Sequence, residues 1–158
     1  MKRSIAALAI AAIAPLVLTA TPSQATNIGY EGCTPGYWKN HTDSWEEAKP
    51  GNMYVGKFSG GSAYSSVSGL TQLQALDGGG GSGANGAARI LARASMAAYL
   101  NAATEGLGYP WRRATDGLDG RPPLTDTVNA AFASGNRDTM INLATWLDAD
   151  NNLGCPLN

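Results

Sequence analysis

Ten consecutive residues, Gly32-Cys33-Thr34-Pro35-Gly36-Tyr37-Trp38-Lys39-Asn40-His41, hold the densest set of chemistry-bearing side chains in the chain. His41 is the sole histidine, and Cys33 is one of two cysteines. An imidazole with Asp43 two residues on and serines in reach has the composition of a Ser-His-Asp relay. The same imidazole with Asp43 or Glu47 could take part in a metal site. A two-histidine or multi-cysteine zinc site is excluded by the counts alone. No Gly-x-Ser-x-Gly elbow occurs, and a triad is defined by geometry rather than composition, so no catalytic residue is assigned. A structural reading stands beside these. In it Pro35-Gly36 makes a turn, and Tyr37 and Trp38 point to opposite sides of an extended strand. One ring then plugs the core beside a disulfide, while His41 caps a helix that starts at Asp43.

Aromatic side chains supply the next candidate. Seven of the twelve in the chain fall between positions 30 and 64: Tyr30, Tyr37, Trp38, Trp45, Tyr54, Phe58 and Tyr64. Tyr and Trp on loops give large contact area at low entropic cost. Tyr30, Tyr37, Trp38, Trp45, Tyr54 and Tyr64, with His41, therefore form a candidate binding face. A loop-rich region poor in aliphatic residues also needs such rings for its own core, and both readings stand.

Four further patterns carry less. Residues 81–86 satisfy G-x-G-x-x-G ahead of a helix, with Glu105 nineteen positions on, but no strand precedes them. They read as a connector. Asp148-Ala149-Asp150-Asn151-Asn152 begins like a calcium loop, yet position six is Leu153, so a helix terminus is the better reading. Arg89 and Arg93, one turn apart, could grip an anion or lie on a solvated face. Asn40-His41-Thr42 is a glycosylation sequon, which matters only in a eukaryotic secretory pathway.

The address frames all of this. Lys2 and Arg3, an apolar run over residues 5–18 and the small-x-small site Ser23-Gln24-Ala25 read as a cleaved signal peptide, residues 1–25. Residues 26–158 then form one domain, with nine basic and twelve acidic side chains and a formal charge of −3. That charge gives no case for nucleic acid, and no second apolar stretch could span a membrane. The expected location is secreted or at the cell surface. In an oxidising compartment the two cysteines pair, and a Cys33–Cys155 bond encloses nearly the whole domain.

The elements that would position these groups are helical. Asp43-Ser44-Trp45-Glu46 resembles a capping box, and residues 52–68 read as loop with room for a short strand. Leu70, Leu73 and Leu76 make one or two helical turns before the glycine run 78–81. Residues 87–105 form an alanine-rich helix, apolar over most of its circumference and hence central, ended by Gly106. Leu124, Val128, Ala131 and Phe132 make a third stripe, ended by Gly135. Met140, Leu143, Ala144 and Leu147 line a last helix opened by Asp138. The expected fold is mainly α: a small helical bundle with a loop-rich aromatic N-terminal part, pinned by one disulfide.

The run Cys33-Thr34-Pro35-Gly36-Tyr37-Trp38-Lys39-Asn40-His41 resembles the signature of a family of small exported bacterial modules. In that family the signature is similarly followed by a leucine stretch, a glycine run, an alanine-rich helix and Asn-x-x-Gly-Cys-Pro. These are residues 70–76, 78–81, 89–103 and 151–156 here, so the likeness covers essentially the whole domain. It implies a module that stands alone or attached to surface proteins, and it carries no catalytic residue and no cofactor across. The expected function is a non-catalytic module acting by binding or assembly on a cell-surface polymer, polysaccharide or protein. The alternative is a small secreted hydrolase or metal-dependent enzyme centred on His41. Export has a direct test: the intact mass of protein recovered outside the cell should begin at Thr26, and a membrane-retained species carrying Met1 would overturn it.

Overall fold

The structure is a computed structural model and describes residues 30–157. The expected signal peptide lies outside the described residues. Among the described residues the fold has five α-helices: α1 (Pro35–Asn40), α2 (Gln72–Leu76), α3 (Gly83–Ala103), α4 (Leu124–Ala133) and α5 (Arg137–Asn151). Short 3-10 turns stand at Thr42–Ser44, Tyr54–Gly56, Ser59–Ala63 and Leu118–Gly120. Extended pairing among the described residues is limited to two isolated bridges, Gly32 with Gly154 and Met53 with Thr71. The domain is mainly α, as the periodicity predicts.

Helix α3 is the axis. Its Ala87, Ala88, Leu91, Ala92, Met96, Ala97, Ala98 and Leu100 are buried around the whole circumference, and its most extensive partner is α5. Small alanine side chains let neighbouring backbone approach closely. At the N-terminal end the approach is closer still, since a Cβ on Gly86 would lie 2.1 Å from the Gly81 carbonyl oxygen. The glycine run is therefore built in. Arg89 reaches back to donate to the carbonyls of Gly78 and Gln74, each at 2.9 Å. Helix α4 buries the expected stripe of Leu124, Val128, Ala131 and Phe132. Helix α5 starts slightly earlier than the pattern suggests, because the Asn136 side chain accepts from the backbone N–H groups of Asp138 and Thr139.

Three local expectations are corrected. Tyr37 and Trp38 lie on a helix, not a strand: the Thr34 hydroxyl caps α1 by accepting from Tyr37 N, and Pro35 takes the first-turn position where its missing N–H costs nothing. Successive helical residues are about 100° apart rather than opposed, so Trp38 is buried while Tyr37 is only half-buried. No helix starts at Asp43. A 3-10 turn stands there instead and ends at the extended backbone of Trp45, after which Glu47 is left-handed, φ 54°. The capping box forms at α2, where Thr71 and Gln74 exchange side-chain bonds to backbone N–H groups at 3.1 and 2.9 Å. The possible strand within 52–68 is two 3-10 turns whose rings, Tyr54 and Phe58, enter the core.

The Cys33–Cys155 disulfide forms, with Cα atoms 4.5 Å apart. Beside it lies a polar cluster inside the core. The Asn101 carboxamide, fully buried on α3, accepts from Cys33 N at 2.8 Å and from Trp38 Nε1 at 2.9 Å. Its Nδ2 donates to the Cys33 carbonyl and to Asn151 Oδ1, each at 2.9 Å. Asn151 in turn accepts from the Tyr109 hydroxyl at 2.8 Å and donates to the Ala94 carbonyl at 3.0 Å. Next door, Asp150 accepts from Trp111 Nε1 at 2.7 Å and from Nε and Nη2 of Arg121, at 2.8 and 3.0 Å. Replacing Asn101 by Ala strands several buried polar groups at once. N101A should therefore cost about 3–5 kcal/mol in denaturant unfolding with the disulfide intact. A loss below about 1 kcal/mol would mean that the amide does not hold the fold.

Candidate functional site: a cationic cavity beside the central helix

Only part of the aromatic and histidine set stands at the surface. Trp38 and Tyr54 are wholly buried and Tyr64 is 8% exposed, so these three belong to the core and not to a binding face. Their rings pack there: Tyr54 and Tyr64 both meet Phe132, at centroid distances of 6.4 and 5.6 Å. Tyr37 and Trp45 are half-buried and tied down, Tyr37 by its hydroxyl to the Leu157 carbonyl and Trp45 by Nε1 to the Trp38 carbonyl. Tyr30 is 52% exposed and donates to the Asp119 carboxylate, which raises its phenol pKa above the ordinary value. Trp146, outside the sequence-derived set, is also exposed, against the edge of Trp111.

His41 is exposed at the C-terminal end of α1, with its ring stacked on Tyr37 at 4.1 Å. Its Nδ1 lies 2.8 Å from the Tyr37 carbonyl oxygen, so that nitrogen is the donor. A relay needs Nδ1–H on a carboxylate, and here the main chain holds it instead of Asp43. No three of the described His, Cys, Asp and Glu side chains gather into a group that could hold a metal ion, and this includes His41, Asp43 and Glu47. Residues 148–152 close α5, with Asp150 committed to Arg121 and Trp111. Arg89 spends Nε and Nη2 on the carbonyls of Gly78 and Gln74, and its buried Nη1 has no hydrogen-bond partner among the described residues. It does not pair with Arg93 on an anion site, and Arg93 instead lines a small pocket with Gly79, Ile90 and Asp148.

A larger cavity of about 670 Å³ opens beside α3, within the size range of small-ligand sites. Its lining includes Lys57, Tyr99, Arg112, Arg113, Thr115 and Thr125. Three of the nine cationic side chains that follow residue 25 therefore converge on one concavity of an acidic domain. Tyr99 organises them. Lys57 Nζ sits 4.6 Å from the ring centroid and donates to the hydroxyl at 2.8 Å, while the Arg113 guanidinium carbon lies 5.7 Å from the same centroid. Glu47, which is not among the lining residues, answers two of the three charges. Its carboxylate meets the Nη1 and Nη2 ends of the Arg113 guanidinium along one edge, and its backbone carbonyl accepts from Lys57 Nζ at 2.8 Å. Arg112 spends one nitrogen on the carbonyls of Tyr109 and Trp111.

The cavity's position follows from the polar core. Tyr99 stands two residues before Asn101 on α3, and the strand of chain carrying Arg112 and Arg113 is anchored on its N-terminal side by Tyr109 to Asn151 and Trp111 to Asp150. On the other side, Leu124 N and Thr125 N at the start of α4 donate to the carbonyls of Arg112 and Arg113 at 2.9 and 3.0 Å. Sequence reasoning missed this site. The adjacent pair Arg112-Arg113 was a visible signal, but nothing in the linear order brings Lys57 to it. None of the seven sequence-derived binding residues lines the cavity. No helix of the described residues is long and apolar enough to cross a membrane. Compared with known proteins, the chain matches no family model, no curated protein and no solved structure.

Proposed function

We propose that the chain is a secreted or cell-surface module that works by binding rather than catalysis, and that its ligand seats in the cavity of Lys57, Arg112 and Arg113. One observation carries the reading: three cations from two separate segments line one ligand-sized concavity with Tyr99, which holds Lys57 and Arg113, and Glu47 contacts these two from outside the lining. Fixed cations of this kind recognise anionic groups, and Arg113 is already in the bidentate geometry that suits a planar oxyanion. The hydroxyls of Thr115 and Thr125 add partners for a hydroxyl-rich ligand such as a polysaccharide. Export is supported by the charged and apolar pattern of residues 1–25, by the disulfide and by the likeness of the residue 33–41 signature to exported bacterial modules.

A hydrolase centred on His41 is the second reading, favoured by the exposure of its ring and a free Nε2. The two separate in one experiment. The purified protein is assayed for retention on, and turnover of, acidic and neutral polysaccharides and ester and peptide substrates, beside His41→Ala and Arg112→Ala/Arg113→Ala. Retention should fall by about tenfold or more in the arginine variant and stay within about twofold in H41A, with no turnover in any protein. Turnover that disappears with His41→Ala decides for the hydrolase. Retention indifferent to both arginines removes the cavity from the function.

A further inference from the structure

We infer that the cavity is selective for a carboxylate on a hydroxyl-bearing ligand, such as a uronic acid unit, and that Glu47 occupies the carboxylate position until the ligand displaces it. The inference rests on the binding reading above and specifies its ligand class. The chain itself displays the recognition: the Glu47 carboxylate faces the Nη1–Nη2 edge of Arg113, with Nη2 to Oε1 at 3.1 Å. A ligand carboxylate presented at the same guanidinium would find the same planar, two-point match.

Glu47 is suited to leave. Its side chain is 54% exposed, so its ion pair with Arg113 is shared with solvent and individually weak. Its backbone is left-handed at φ 54°, a conformation that L-residues other than Asn and Asp seldom adopt. The arginine stays where it is. Its carbonyl is held by Thr125 N at 3.0 Å, and its guanidinium lies over the Tyr99 ring. Lys57 is tied to the Tyr99 hydroxyl at 2.8 Å, a bond that does not involve the Glu47 carboxylate. Departure of Glu47 thus leaves Lys57, Arg112 and Arg113 facing one concavity, with Thr115 and Thr125 placed for sugar hydroxyls.

Displacement differs from a general charge effect, and a neighbouring residue supplies the control. Glu46 has the same charge one position away, but its carboxylate accepts from Glu105 N at 3.0 Å and does not touch Arg113. Binding of oligogalacturonate is measured by calorimetry on the whole protein for wild type, Glu47→Gln, Glu46→Gln and Arg113→Ala. Neutral oligogalactan and inorganic phosphate serve as competitors. Kd should fall about three- to tenfold in E47Q, change less than about twofold in E46Q, and rise at least about tenfold in R113A. Neutral oligogalactan and phosphate should compete at least about tenfold more weakly than free galacturonate. Equal gains in E47Q and E46Q would reduce Glu47 to background charge and overturn the displacement. Phosphate competing as well as galacturonate would overturn the carboxylate class. In either case the binding reading survives. Failure of oligogalacturonate to bind wild type and E47Q alike overturns this inference, whereas the binding reading falls only if no polymer is retained through Arg112 and Arg113.

Discussion

One buried carboxamide holds the architecture together. Asn101 has two lone pairs and two N–H groups to satisfy, and all four find partners inside the core. Its partners come from both ends of the domain: the backbone on each side of Cys33, the indole of Trp38 and the side chain of Asn151. In a low-dielectric interior such an amide tolerates very few arrangements, because any slip leaves polar atoms unpaired and dry. The disulfide closes the same junction covalently. By chain-entropy reasoning a loop of 122 positions contributes at most about 5 kcal/mol, mostly by restricting the unfolded chain. The amide does something the bond cannot, which is to fix the register of the entering segment against α3 and α5.

From that junction the order spreads outward in a definite direction. Asn151 holds the Tyr109 hydroxyl, and burial keeps that phenol protonated well above its ordinary range, so it remains a donor. Asp150 holds the Trp111 indole and clamps Arg121, a mostly buried charge pair whose remaining donors and acceptors are met. The chain between Tyr109 and the start of α4 is long and irregular, yet it is pinned at each end and also where Gly117 passes the Pro110 carbonyl too closely for any Cβ. Arg112 and Arg113 inherit fixed positions from these anchors. A loop becomes a rigid wall of a cavity, the condition under which cationic side chains bind selectively rather than merely attract.

The aromatic residues divide along the same line. Rings near the N-terminal side fill the space that α3 alone cannot, since its alanines present little volume. Tyr54, Phe58 and Tyr64 therefore turn inward onto Tyr99 and Phe132. The hydroxyl of Tyr54 is satisfied by Ser95, so even a phenol is accommodated in full burial. These three rings are thereby spent on the core, while Tyr30 and Trp146 stay exposed.

Composition and periodicity determined a good deal of this protein. The alanine-rich stretch had to be a central helix, the stripe from Leu124 to Phe132 an amphipathic one, and two cysteines flanking the domain their own partners; each rests on short-range pattern or simple counting. Thr34-Pro35 and Asp43-Ser44 offer similar local signals, and the difference appears only in the backbone: the Thr34 hydroxyl caps α1, whereas the chain turns extended at Trp45 and left-handed at Glu47. Which face of a loop-borne ring meets water has no period to reveal it, so Trp38 and Tyr54 could not be told from Tyr30. The cavity lay further out of reach. Lys57, Tyr99 and Arg113 are separated by 42 and 14 positions, and their meeting depends on how α3 seats the loops on either side. Burial of apolar surface fixes which helices form, but the convergence of three charges is a property of packing at long range, and tertiary structure alone decides it.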